Sequence, residues 1–391
     1  MVAIADIAFG YVVVSCGACG MVYASRAPDD ATIERYYRDF SKYDHPRSVA
    51  DLSAGDLDRA RVAADFTRRL LGPGARVLDV GCSAGVYLAA LAQSGSFDVR
   101  GIDPSPASAE VARTLFGVTV DTGDAYAFDG YAAFDGIALL AVLEHLRDPT
   151  RLFETLARRM KPGAILVVEV PNADVFGDYP RIGHRSEPFG EFSNEHINFF
   201  GDAAIRRLAR RAGLSWIASE PLPYLTGFHG LLAAFRKGDG QVAAAPLDDS
   251  RESVSRYVDA SATAMRAVES RLARAGVLDR PMVLYGAGSH SARMLAQGCF
   301  GRASIDVVLD RNPHLTGHTI GGLRIASPDT LAELPGRPVV VSSFNAMHVI
   351  ADDLHLRFAN YVVTLYPDWK IVENSPDPAP SRLTENLTRT A

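Results

Sequence analysis

The chain of 391 residues contains only four cysteines, and only Cys16 and Cys19 stand close together. So few exclude a disulfide framework in so long a chain, and a reducing cytoplasm is the expected compartment. A second C-x-x-C is missing, so Cys16-Gly17-Ala18-Cys19-Gly20 falls short of the four ligands of a structural zinc site. His45 is the nearest further candidate, so zinc stays doubtful here and no metal-ligand set is assigned. No apolar run approaches the roughly 18 residues of a membrane span. The first residues also lack the basic flank and small-residue cleavage site of a secretory signal, so no membrane partner is expected. An excess of positive charge is lacking too: a net charge of −6 gives no basic footprint for nucleic acid. The sequence sets no oligomeric state. The length calls for two or three domains.

What is present is organised around residues 75–103. Val77 to Val80 form a short apolar run that ends in Gly81-Cys82-Ser83-Ala84-Gly85. Val86, Leu88 and Leu91 follow at helical spacing, and a second strand from Phe97 to Ile102 closes on Asp103. Strand, glycine turn, helix, strand and acid make a nucleotide-binding βαβ unit. Gly81 allows the sharp turn, and Gly85 allows the helix to pack close. Asp103, about 20 residues after the turn, stands where a carboxylate accepts both hydroxyls of a ribose. The middle glycine of G-x-G-x-x-G is absent, which argues against a dinucleotide.

Around this unit the chain divides into a C-x-x-C segment and lid at 1–50, a core at 51–240, and a linker with a long helix at 241–278. A second, smaller βαβ-type domain follows at 279–372, and the tail at 373–391 is expected to be disordered. The lid carries an amphipathic helix from Ile33 to Tyr43, with Tyr36, Tyr37 and Tyr43 open to either packing or substrate contact. Asp56–Leu71 reads as a helix, and Ser105 with Pro106 as a helix start. Val142 to Pro149 is expected to open another helix. The stretch Asn172–Phe200 leaves a strand on the ligand side of the sheet without clear periodicity, the mark of a functional loop. The second domain shows Gly286-Ala287-Gly288 after a strand and Asp310 at the next strand tip. Ser291 stands in place of the third glycine, which weakens a reading of NAD binding there.

VLDVGCSAG, GIDPSPAS, GDAYAF, LEHLRDP and MKPGAILVVEVPN, in this order, resemble the motifs of class I S-adenosylmethionine-dependent methyltransferases over roughly residues 70–175. The resemblance implies an α/β fold, a Rossmann-like methyltransferase core followed by a second Rossmann-like domain. It implies S-adenosylmethionine as cofactor, held by Asp79, Gly81, Cys82, Gly85, Asp103, Pro104, Asp124 and Ala125. The C-x-x-C segment, the core with its Glu195-His196 loop, and the terminal domain together resemble the nucleotide-sugar C-methyltransferases. That likeness implies a small-molecule acceptor, a nucleoside-diphosphate keto-deoxysugar methylated at carbon. Ser193 replaces the tyrosine that this family carries three residues before the histidine.

Carbon becomes nucleophilic only after losing a proton, and a histidine of ordinary pKa about 6.5 can take one that a neighbouring ketone has acidified. His196 is the expected base, and Glu195 the expected contact to the sugar or enolate. Tyr179, His184, Asn198 and His229 are expected at the acceptor. Glu144 and His145 are expected to begin a helix beside the amino-acid end of the cofactor. Two alternatives stay open: an O- or N-methyltransferase on the same core, and an NAD-dependent oxidoreductase using the second domain.

Overall fold

In the computed structural model, the described residues are 2–6, 11–26, 29, 52–93, 95–179, 187–193, 195–223, 229–238, 250–301, 303–344, 346–365 and 371–372. The Ile33–Tyr43 helix with its tyrosines, His45, His184, most of the linker and the 373–391 tail lie outside them. The chain contacts divide into two units. One takes in residues 1–6, 10–185 and 191–258, and the other residues 7–9, 186–190 and 259–391.

The first unit begins with β1 (Val2–Asp6), β2 (Val12–Ser15) and β3 (Val22–Ala24), an antiparallel ribbon. Its tight turn carries the C-x-x-C: the Cys16 N–H donates to the Met21 carbonyl at 2.8 Å, and the Gly20 N–H to the Cys16 carbonyl at 2.8 Å. Both thiols are free and half-buried. The amides of Ala18 and Cys19 hold the Cys16 thiol below its usual range.

The core then alternates helix and strand. Its elements are α1 (Ala54–Leu70), β4 (Arg76–Val80), α2 (Val86–Ala92), β5 (Asp98–Asp103), α3 (Pro106–Phe116), β6 (Thr119–Thr122), β7 (Gly136–Leu140), α4 (Pro149–Arg159) and β8 (Ile165–Pro171). A two-residue β9 (Asn198–Phe199), α5 (Asp202–Arg211), β10 (Leu214–Pro223) and β11 (His229–Lys237) complete it. The large sheet runs β10-β11-β8-β7-β4-β5-β6. Strands β4 to β8 are parallel, whereas β11 is antiparallel to β8 and to β10. Every residue of β8 is buried, as a parallel strand covered on both faces requires. One face packs Leu78, Ile137, Leu139, Phe153, Leu156 and Phe235, and the other packs Phe66, Val77, Leu88, Leu91 and Val167. This is the doubly wound core expected from the sequence.

Local chemistry fixes the element ends. Ser53 caps α1 by accepting from the Asp56 N–H at 3.0 Å, and Arg68 and Arg69 meet the negative end of the helix. Gly85 starts α2 at φ 75°, in the left-handed region. A Cβ there would stand 2.9 Å from Val118 Cγ2 and 3.1 Å from Ala112 Cβ. Gly85→Ala combines that overlap with backbone strain, and we expect it to cost about 1–3 kcal/mol, read as a lower urea midpoint at unchanged m-value.

One expected helix start is corrected. The helix after β7 begins at Pro149, with Asp148 accepting from the Arg151 N–H at 2.9 Å. Aspartate before proline is the stronger start signal. Glu144 and His145 therefore lie on a separate 3-10 turn, Leu143–His145, which Val142 precedes.

The long helix α6 (Ser250–Arg274) precedes a second sheet. There β12 (Met282–Tyr285), β13 (Ile305–Leu309), β14 (Thr319–Ile320), β15 (Leu323–Ala326), β16 (Val339–Val341), β17 (Val362–Thr364) and β18 (Ile371–Val372) order as β14-β15-β13-β12-β16-β17-β18. Its central strands are parallel. Asp310 accepts from the Ala287 N–H at 2.8 Å, so the acid at the strand tip braces the glycine turn. Buried Ser291 closes that turn against the Gly286 carbonyl and the Ser342 hydroxyl. No helix among the described residues is long and apolar enough to cross a membrane.

Candidate active site

The parallel strands β4 and β5 lie side by side, and Asp79 and Asp103, two of the acids singled out from the sequence, stand near their carboxyl ends. Asp103, at the tip of β5, accepts from the Ser83 N–H at 2.8 Å through Oδ2 and from the Ser105 N–H at 2.9 Å through Oδ1. One carboxylate thus braces the glycine turn and the start of α3. Gly81, at φ 75°, makes the turn: a Cβ there would lie 2.8 Å from Val142 Cγ2. Cys82 is buried, and burial pushes its thiol well above the usual range, so it packs as a neutral side chain. Pro104 is exposed. Asp124 is exposed too, and accepts from the Tyr126 N–H at 2.8 Å in an Asx turn. Ala125 is half-buried against the core.

Asp79, near the end of β4, is 3% exposed, and its Oδ1 has no hydrogen-bond partner among the described residues. Burial raises its pKa to about 8, with Asp103 and Glu169 adding to the rise and Arg59 opposing it. An ionised Asp79 is therefore costly until a cation arrives. S-adenosylmethionine, with its ammonium and sulfonium, is a ligand of that charge, so this donor set fits it.

The shift also sets a pH dependence. Between the ordinary carboxylate range near pH 4 and pH 8, the folded chain holds a proton that the unfolded chain has lost, so this group makes stability fall as pH rises through that window. Asp79→Asn removes the effect. Its melting temperature is expected to gain on the unsubstituted protein between pH 5 and pH 8, measured without cofactor. A constant difference across that range would refute the assignment.

A second group of side chains stands beside β7. The ring centroids of His145 and His196 are 4.9 Å apart in an edge-to-face arrangement. Backbone contacts lock the two segments together. The Ile197 N–H donates to the Glu144 carbonyl at 2.7 Å, and His145 Nδ1 lies 2.9 Å from the Glu195 carbonyl. Asn198 Nδ2 donates to the carbonyls of Leu143 at 3.1 Å and Leu146 at 2.6 Å. Asn198, expected at the acceptor, thus spends its amide on the 3-10 turn. The His196 N–H reaches the Ser193 carbonyl at 3.1 Å, and the Tyr11 hydroxyl donates to the His196 carbonyl. On the far side, β9 pairs with β3.

Glu144 is 1% exposed, and burial raises its pKa to about 8. Arg59 of α1 reaches Glu169 on β8 through Nε at 2.7 Å and Nη2 at 2.6 Å. Sequence reasoning did not foresee this pair, which joins residues 110 positions apart. Tyr179 is 3% exposed, with its ring 5.3 Å from Phe176 and 5.7 Å from Tyr257, so it packs in an aromatic cluster. His229 opens β11 with its ring 6.0 Å from Tyr179, and burial lowers its pKa. Glu191, whose pKa burial raises to about 7, completes this wall. Glu195 is half-buried.

Residues 56–219 match the family model described as "Methyltransferase domain". Among curated proteins, a ubiquinone biosynthesis O-methyltransferase of Cereibacter sphaeroides is 34% identical over 127 residues, 30% of this chain and 51% of that protein. Another with that name, from Xylella fastidiosa, is 37% identical over 115 residues, 27% of this chain and 46% of that protein. The chain spans about half the length of the curated relatives it matches. Among solved structures, the 1,6-didemethyltoxoflavin-N1-methyltransferase of Burkholderia thailandensis aligns with a TM-score of 0.43 and 23% identity, over 58% of this chain and 99% of that one. Magnesium protoporphyrin IX methyltransferase from Synechocystis PCC 6803 aligns at 0.41 and 19%, over 54% and 100%. With its strand order, its Asp103 at the second strand tip and its family match in agreement, residues 56–219 form a class I methyltransferase domain whose cofactor is S-adenosylmethionine.

Proposed function

We propose that the chain transfers a methyl group to a small-molecule acceptor that loses a proton to His196. The observation that supports this reading is the His145–His196 pair, fixed over buried Glu144 at the carboxyl end of β7, the side of an open α/β sheet where ligands bind. The bound cofactor supplies an electrophilic methyl on a sulfonium. Asp103 takes the ribose hydroxyls, Asp79 the ammonium and Asp124 the adenine amine, while the turn from Gly81 to Gly85 lies along the cofactor's amino-acid end. The Glu195 carbonyl can only accept, so it fixes the proton on His145 Nδ1. The Glu195 side chain and neutral His229 are assigned to the polar edge of the acceptor. Tyr179 and Asn198 stand one step back, holding the wall and the turn.

For the acceptor we assign a nucleotide-activated keto sugar methylated at the carbon beside the ketone, on the order of the motifs around Glu195-His196 and the two-sheet layout. A second reading, methyl transfer to a hydroxyl, has observations of its own. The curated relatives are named O-methyltransferases. In addition Ser193, replacing a tyrosine of the C-methylating family, accepts from the His196 N–H at 3.2 Å and so shapes the turn. Incubating the protein in heavy water with S-adenosylhomocysteine and a nucleoside-diphosphate 4-keto sugar separates the two. Deuterium entering beside the ketone, and not with His196→Ala, supports carbon methylation. Methyl transfer without such exchange assigns the oxygen.

A further inference from the structure

The segment that carries His196 has little regular structure to hold it. Of the described residues from 191 to 199, only Asn198 and Phe199 belong to a strand. Backbone outside a ladder or helix takes its partners from side chains, and α6 supplies two of them here. Ser253 and Tyr257 stand four positions apart, so they share one face of that helix, and both are buried. The Gly177 N–H donates to Ser253 Oγ at 3.0 Å, and the Glu191 N–H donates to the Tyr257 hydroxyl oxygen at 3.2 Å. A Cβ on Gly177 would lie 2.8 Å from the Ser253 carbonyl oxygen, so chain and helix touch closely there. One turn of α6 thus grips the 172–200 stretch near its start and again just ahead of His196.

The ring of Tyr257 extends the grip. Its centroid is 5.4 Å from that of Phe192, edge to face, and Phe192 meets Phe199 in the same way at 4.9 Å. Phe192 precedes His196 and Phe199 follows it, so a line of rings that begins at Tyr257 brackets the imidazole along the chain. All three rings are buried, and such aromatic pairs have a preferred geometry as well as area. Position along the segment is therefore set from α6, whose own sequence carries no sign of it.

We propose that Tyr257 is a positioning residue for His196, its hydroxyl fixing the Glu191 amide and its ring fixing Phe192. Its effect on rate rests on the base role proposed above, whereas its effect on where the imidazole stands does not. A reacting group displaced by about 1 Å costs on the order of 10²-fold in rate, which sets the scale for losing the whole side chain.

The test uses the full chain with isotopically labelled histidine and S-adenosylhomocysteine bound. The His196 signal in the magnetic resonance spectrum is identified by its loss in His196→Ala. Tyr257→Phe, which keeps the ring and removes the hydroxyl, should move that signal, and Tyr257→Leu should move it further. The signals of His314 and His318, in the second unit, should stay in place, and S-adenosylmethionine affinity should be unaltered. Deuterium exchange beside the ketone of a nucleoside-diphosphate 4-keto sugar should slow by about 10-fold in Tyr257→Phe and about 100-fold in Tyr257→Leu, at unchanged KM. A residue that only supports the fold would lower the melting temperature and leave the His196 signal where it was, and that result overturns the proposal. Slower exchange with an unmoved signal overturns it too. A displaced signal with unchanged exchange keeps Tyr257 as the anchor and removes His196 as the base. Should Tyr257→Leu fail to fold, the nearly isosteric Tyr257→Phe carries the test.

Discussion

His196→Ala is expected to lower turnover by about 10²–10⁴-fold, the contribution of a positioned general base, while leaving S-adenosylmethionine affinity within a few-fold. The two effects separate because the groups sit on different elements. Asp79 and Asp103 belong to β4 and β5, whereas His196 belongs to the segment leading into β9. The backbone of His196 is held independently of its ring, by Ser193 on one side and Tyr11 on the other, so truncation removes the imidazole and spares the loop. Added imidazole should restore part of the lost rate, as happens when a cavity takes back a missing base. Turnover at the unsubstituted level would remove His196 from the chemistry and leave the domain assignment untouched.

Asp103→Ala is expected to show the reverse pattern, loss of cofactor binding. The carboxylate already accepts from two amides, and the bound cofactor would add two ribose hydroxyls. A hydrogen bond to a charged group is worth about 1.5–3 kcal/mol, so losing two predicts roughly 10²–10⁴-fold in the dissociation constant by calorimetry. Asp103→Asn is the informative companion. It keeps the shape but offers one acceptor oxygen and an amide that cannot accept, so it should fall between the two. Unchanged affinity in both variants would place the ribose elsewhere.

The parts legible in the sequence are those whose causes lie within a few residues. Gly81, Gly85 and Asp103 could be read because strand, turn, helix and strand follow one another within one short stretch, and each glycine answers a local backbone demand. The start of α3 at Ser105-Pro106 was legible for the same reason. The start of α4 was misplaced because the apolar spacing from Val142 onward looked helical, while the deciding signal, Asp148-Pro149, came later. What escaped notice depends on distant partners. The two residues of β9 have no periodicity of their own and become a strand only by pairing with Val22 and Tyr23. Arg59 gains its meaning from Glu169, and His145 from His196. Tyr179 looked like a ligand contact, yet three aromatic neighbours bury it. Side chains that meet only through the tertiary fold leave no mark in local spacing.

A crystal structure of the full chain with S-adenosylhomocysteine bound tests the account most directly. It should show both ribose hydroxyls on Asp103, the ammonium on Asp79, and the His196 ring facing the sulfur across a gap wide enough for an acceptor. A His196 ring turned into bulk water, or walled off from the sulfur by packed side chains, would contradict it.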